Sequence, residues 1–154
     1  AALARCLALI APLAEQAGVR LPPPPTGPVC WVRAEPRALE QVLMNLLSNA
    51  IKYNRRGGAV HVDIESIDGH LRIDVRDEGA GLSAEQQSRL FQHFERLGAE
   101  TSGVPGSGLG LVITRELVQA MGAALKKGSV AKPVKGRSNE SFKRLSWPNI
   151  FSGP

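Results

Sequence analysis

Cysteine is scarce in this 154-residue chain. Cys6 and Cys30 are the only two, at no metal-binding spacing, which excludes a disulfide-stapled scaffold and points to a reducing compartment. Long apolar runs are missing as well. The opening AALARCLALIAPLA is interrupted by Arg5 and Pro12 and falls short of the roughly 20 residues a membrane-spanning helix needs, so it reads as a buried helix. No glycine run is followed by Lys-Ser or Lys-Thr, and none has the Gly-x-Gly-x-x-Gly spacing. A Walker loop and a Rossmann fingerprint are therefore excluded. The chain also lacks an initiator Met, so a piece of a longer protein is expected.

The length suits a single domain with a proper core. Apolar residues make up 43% and charged residues 21%, ordinary values for a globular domain. The net charge of +5 is local: residues 123–154 hold seven Lys or Arg against one Glu, and the rest of the chain is close to neutral. The basicity belongs to the tail and does not point the main body at nucleic acid.

LEQVLMNLLSNAIKYN, from Leu39 to Asn54, is the most informative stretch. Leu39, Val42, Leu43, Leu46, Leu47, Ala50 and Ile51 recur at the helical i, i+3, i+4, i+7 spacing and mark a core-facing stripe. Gln41, Asn45, Asn49 and Lys52 form a second line beside it, with Tyr53 on the border. Asn is a mediocre helix former. Two in register followed by Lys offer oxygen ligands and a cation, as a Mg²⁺-bound phosphate requires. A solvated polar face remains the plain alternative at this point.

In chain order, residues 2–17 read as a helix, GVRL as a short strand, and LPPPPTGP as a stiff connection. VCWV, from Val29, reads as a strand. Glu35-Pro36 opens the central helix with proline where its missing N–H costs nothing, and Arg55-Arg56-Gly57-Gly58 closes it. Residues 59–65 and 71–77 alternate as strands, joined by an Asp68-Gly69 hairpin signal. Asp77 is in phase with inward Leu71, Ile73 and Val75, so its carboxylate needs a partner. His61 is expected on the outward, solvent-facing side. Gly79 and Gly81 follow, suited to close backbone approach to a ligand. Ser83 opens a further helix. Residues 98–108, with four glycines and a proline, are expected to be mobile. Gly108-Leu109-Gly110-Leu111 then enters a helix burying Val112, Ile113, Leu117, Ala120 and Met121. Glycine-rich backbone at a helix N-terminus suits an anion.

Taken together, four stretches in this order resemble the catalytic ATP-binding domain of bacterial sensor histidine kinases, within the superfamily that includes gyrase and the heat-shock chaperone ATPases. NLLSNAIKY at 45–53 resembles the N box, DEGAGL at 77–82 the first glycine box, LFQHFERLG at 90–98 the F box, and GSGLGL at 106–111 the second glycine box. The resemblance covers about residues 3–122. It implies an α/β, two-layer, Bergerat-type sandwich: a mixed sheet covered on one face by about three helices, with a mobile ATP lid. Residues 1–122 would be the ATP-binding domain. Residues 123–154 depart from the family ending, and either complete the sheet or form a disordered basic segment.

The resemblance assigns ATP and Mg²⁺. Asp77 would accept a hydrogen bond from the adenine amino group, and Gly79, Gly81 and Leu82 would line the nucleotide. Asn49 and Asn45 would face Mg²⁺, Lys52 the phosphates and Tyr53 the purine. Gly106, Ser107, Gly108, Leu109, Gly110 and Leu111 would form the lid hinge, with N–H groups for phosphate. Asn45 stands where gyrase-like and chaperone ATPases carry a catalytic Glu. An amide cannot take a proton, so transfer is favoured over hydrolysis. His61, His70 and His93 lie in no phosphoacceptor context. The implied partners are a histidine-containing dimerisation domain of the parent kinase and a response regulator, in the cytoplasm, with no nucleic acid and no membrane contact by this domain. Two other functions stay open: a catalytically silent nucleotide-responsive module, and a gyrase-like ATPase, which Asn45 disfavours.

Residues 98–108 hold too little apolar surface to offset the roughly 1–2 kcal/mol per residue that fixes a backbone. Hydrogen exchange across them is expected to be fast without nucleotide and to slow on adding ATP and Mg²⁺. Slow exchange in both states would remove the lid reading.

Overall fold

The computed structural model describes residues 2–27, 30–67, 70–80, 109–129 and 141–148. Helix α1 spans Ala2–Ala17 and buries Leu3, Cys6, Leu7, Ile10 and Ala14, one stripe at helical spacing. Pro12 sits on its exposed side, where the carbonyl it leaves unpaired faces water. Gly18, at φ 66°, ends the helix: its N–H bonds to the Glu15 carbonyl and the Val19 N–H to the Ala14 carbonyl, the left-handed cap glycine adopts without strain. The chain then touches the sheet at a single parallel bridge, Arg20 to Ala59.

Helix α2 spans Pro36–Lys52. Glu35 caps it, its carboxylate accepting from the Arg37 and Ala38 N–H groups. The carboxylate thus reaches the free amides of the first turn. Val42, Leu43, Leu46, Leu47, Ala50 and Ile51 are buried, the stripe read from the sequence, with Leu39 partly covered.

Strands β1 (Val60–Ile67) and β2 (His70–Asp77) pair antiparallel, Ile67 opposite His70 and Val60 opposite Asp77. The hairpin tip at 68–69 lies outside the described residues. Along β2, Leu71, Ile73, Val75 and Asp77 are buried. On the other face Arg76 pairs diagonally with Asp63, easing the apposition of Asp63 and Asp74 across the ladder. Helix α3 spans Leu109–Ala120. The segment after Gly122 supplies β3 (Ala124–Ser129) and β4 (Ser141–Pro148). The sheet order is β1-β2-β4-β3 with every pair antiparallel. Its parallel component is the Arg20 bridge.

One core joins α1, α2 and the inward faces of β1 and β2, with Val118 of α3 fully buried in it. No helix among the described residues is long and apolar enough to cross a membrane.

Three local expectations are corrected. GVRL forms one bridge and not a strand. Cys30, Trp31 and Val32 are irregular, and Trp31 is exposed; the parallel position beside the start of β1 is already taken by Arg20. The buried face of α3 is also rotated. Leu117 and Met121 pack partly buried against the core as expected, but Thr114 and Val118 are the fully buried positions, while Ile113 and Ala120 are exposed. The burial of Val112 lies outside the description. Hydrophobicity favoured Ile113, but a hydroxyl with a partner can be buried, and Thr114 has one.

Leu46 is fully buried at the centre of α2. Leu46→Ala is expected to cost about 2–5 kcal/mol of unfolding free energy. Leu9→Ala, on the exposed side of α1, should cost under about 0.5 kcal/mol. Denaturant titration of both variants checks this.

Candidate functional site

The polar line of α2 runs along the rim of the core. Asn45 and Asn49 are half-buried, and Lys52 and Tyr53 at the helix end are exposed. Asn45 is held across the helix–helix interface: its Nδ2 donates to Thr114 Oγ1 at 3.0 Å. One N–H of the amide is thus given to α3, and Oδ1 is the end of an amide chemically suited to a hard cation. Asn49 stands one turn on, and amide oxygens are a donor type that fits Mg²⁺ shared with phosphate. Among the described residues, no cluster of three His, Cys, Asp or Glu could hold a metal by itself. Lys52 Nζ lies 5.5 Å from the centroid of the Tyr53 ring, a cation–π distance that keeps the ammonium near the helix end.

The end of α2 and the exit of β2 are packed together. Tyr53 caps the helix, its N–H bonding to the Asn49 carbonyl at 3.0 Å. Its own carbonyl lies against Gly79, where an added Cβ would come within 2.0 Å of that oxygen. Glycine is therefore required sterically at 79. Asp77 ends β2 and is only 5% exposed. Its Oδ1 accepts the Gly79 N–H at 3.0 Å, which orients the carboxylate and partly repays its burial. The carboxylate and the glycine thus lie at the C-terminal end of α2, the helix that carries the amide line.

Two features escaped the sequence reading. Thr114 is one; its signal was the i, i+4 spacing to Val118, masked by more apolar neighbours. The other is Glu78, which accepts from Arg55 at 2.9 Å and lies 3.1 Å from His61 Nε2. His61, expected on an exposed face, is half-buried and engaged. The His61 hydrogen bond, aided by Arg55 and opposed by burial, holds the Glu78 carboxyl below its ordinary pKa. A depressed folded-state value means that its contribution to stability is present above the ordinary carboxylate range and fades as pH falls through the folded pKa. A hollow of about 360 Å³ opens on this side, lined by Arg20, Pro22, Pro23, His61 and Glu78 among others. None of Asn45, Asn49, Lys52 or Asp77 borders it.

Of the other expected site residues, Leu109, Gly110 and Leu111 form the first turn of α3. Gly81, Leu82, Gly106, Ser107 and Gly108 lie outside the described residues, as do the F box and the lid.

Residues 34–142 match the family model of histidine kinase-, DNA gyrase B- and HSP90-like ATPases. The chain belongs to that family. Curated proteins named as histidine kinases are similar to it. It is 42% identical over 94 residues to the histidine protein kinase DivJ of Caulobacter vibrioides, covering 61% of this chain and 16% of that protein. It is 37% identical over 119 residues to the sensor histidine kinase Hik2 of Thermosynechococcus vestitus, covering 77% of this chain and 30% of that protein. The chain thus spans less than a third of either relative. Among solved structures, full-length ShkA in complex with AMPPNP superposes with a TM-score of 0.72 at 28% identity, over 96% of this chain and 29% of that one. The mycobacterial sensor histidine kinase MprB superposes with a TM-score of 0.69 at 26% identity, over 96% of this chain and 91% of that one. The histidine-kinase ATPase domain is the catalytic, ATP-binding part of such kinases, and this chain has its fold.

Gly79→Ala forces a methyl group against the Tyr53 carbonyl. It is expected to cost about 1–3 kcal/mol through backbone displacement, read as a lowered denaturation midpoint. An unchanged midpoint would show that the helix end and the loop are not packed this way.

Proposed function

We propose that this domain binds Mg-ATP and presents the γ-phosphate to a histidine on a separate dimerisation domain of a longer, cytoplasmically acting sensor kinase, for onward transfer to a response regulator. The observation that carries the reading is the buried Asp77 carboxylate, bonded to the Gly79 N–H, with Gly79 packed against the Tyr53 carbonyl at the end of α2. A carboxylate at the closed end of a site is an acceptor for an exocyclic amino group. Asp77 would therefore select adenine, with Gly79, Gly81 and Leu82 along the base and Tyr53 on its purine side. Asn45 and Asn49 would hold Mg²⁺, which shields phosphate charge, while Lys52 would meet the phosphates as a point charge. The backbone N–H groups from Gly106 to Leu111, at the start of α3, would take phosphate oxygens. The AMPPNP complex of ShkA supports the nucleotide class.

The chemistry follows from what α2 lacks. In phosphoryl transfer the acceptor nitrogen bonds to the γ-phosphorus as the bond to the bridging oxygen breaks, and ADP leaves. An imidazole nucleophile needs only positioning and charge stabilisation. Water would need a base, and Asn45 holds an amide where a base would stand, tied to Thr114. The domain is accordingly a poor hydrolase and a donor to a protein side chain.

Asp77→Asn keeps the shape but replaces an acceptor oxygen with a donor. ATP affinity is expected to fall about ten- to a hundredfold, the equivalent of one unsatisfied buried polar group at about 1–3 kcal/mol. Calorimetry with ATP, with and without Mg²⁺, tests it. Equal affinity in the variant and the parent would remove Asp77 from the adenine site.

A further inference from the structure

The turn that leaves β2 is held from two directions. On one side Gly79 abuts the Tyr53 carbonyl, and its N–H is bonded to Asp77. On the other, Glu78 reaches two donors on different elements. Arg55, in the turn that follows α2, gives a hydrogen bond at 2.9 Å, and His61, the second residue of β1, lies at 3.1 Å. Both donors are themselves placed. The Arg55 N–H bonds to Asn54 Oδ1 and its carbonyl accepts from Gly58, both at 2.9 Å. His61 is fixed in the ladder opposite Arg76. The Glu78 side chain is 15% exposed and that of His61 29%, whereas Arg55 is 65% exposed. The His61 arm is thus the better shielded from solvent. Arg20 is a further charged side chain bordering the same hollow.

We propose that Glu78 is a positioning residue for the nucleotide. By bridging His61 and Arg55 it sets the Asp77–Gly79 turn so that the Asp77 carboxylate meets the base. The inference rests on the reading of Asp77 as the adenine acceptor. Glu78 and Asp77 are consecutive, so a rotation of the turn that released Glu78 would also swing the Asp77 carboxylate and the Gly79 N–H it holds. The bridge spans the end of α2, the start of β1 and the exit of β2, the three elements that meet at the base end of the site. A carboxylate suits the task because it accepts from two donors at once, one through each oxygen.

The test measures ATP and GTP affinities by competition against a fluorescent ATP analogue. The proteins are the parent chain, Glu78→Ala, His61→Leu, His61→Gln and the double variant Glu78→Ala/His61→Leu. Guanine carries an oxygen where adenine carries its amino group, so only ATP gains from a well-aimed carboxylate. Glu78→Ala and His61→Leu are each expected to weaken ATP about three- to tenfold, with GTP unchanged and the preference for ATP narrowed. His61→Gln, which keeps an N–H donor near the Nε2 position, should stay within about twofold of the parent. The double variant should be no weaker than the worse single one, as for two members of one bridge. Unchanged ATP affinity in the single variants, an equal loss for ATP and GTP, or additive losses would each overturn the proposal. Should Glu78→Ala not fold, the His61→Leu and His61→Gln pair decides the matter alone. A parent chain that shows no preference for ATP overturns the adenine reading and this inference together. A parent that prefers ATP with variants that match it overturns this inference only.

Discussion

Everything in this domain hangs on the burial of one face of α2. Val42, Leu43, Leu46, Leu47, Ala50 and Ile51 are all at most 2% exposed. At roughly 1.5–3 kcal/mol for each large side chain, they form the largest buried stripe on any one element among the described residues. Burial fixes the rotation of the helix about its axis, and once that is fixed the neighbouring line has no freedom. Asn45 must lie at the α3 interface, Asn49 at the rim, and Lys52 and Tyr53 at the exposed end. The polar residues contribute little to holding the helix in place. They are displayed by it.

The same constraint explains the close approach at Gly79. The end of α2 is carried to the exit of β2 by packing further back along the helix. The Tyr53 carbonyl arrives where any Cβ would collide with it. The glycine is thus a consequence of helix placement as well as of ligand access. Asp77 depends on the result, since its orientation comes from the Gly79 N–H. A buried acid is costly unless bonded, and here the bond is local, two residues along the same turn.

The fold was legible wherever a period was strong. The α2 stripe repeats through four turns with no competing pattern, and β2 alternates strictly from Leu71 to Asp77, so both matched the structure closely. Weak periods failed. VCWV has strand composition but no alternation long enough to specify a register, and the structure leaves Cys30 to Val32 irregular. In α3 hydrophobicity favoured the face with Ile113, and a hydrogen bond at Thr114 goes with the other face being buried. Thr114 is buried because Asn45 gives it a partner 69 residues away in sequence, which no local pattern reveals. The tail is a related case: its strands carry Lys126, Lys127, Lys143 and Arg144, poor advertisements for a sheet, yet the ladders that join β4 to β2 and to β3 are made by backbone groups and do not depend on side-chain polarity.

By itself, the sequence determined the core stripe of α2, the inward phase of Asp77, and the order of the glycine-rich boxes, because each rests on short-range periodicity or on backbone chemistry local to a few residues. Only the tertiary structure decided which end of Asn45 faces α3, that Gly79 must clear the Tyr53 carbonyl, that β4 enters between β2 and β3, and that His61 and Arg55 converge on Glu78. Each of these joins groups on different elements. The distances between such groups are set by how helices and strands pack, and packing is a property of the whole core that no window of sequence contains.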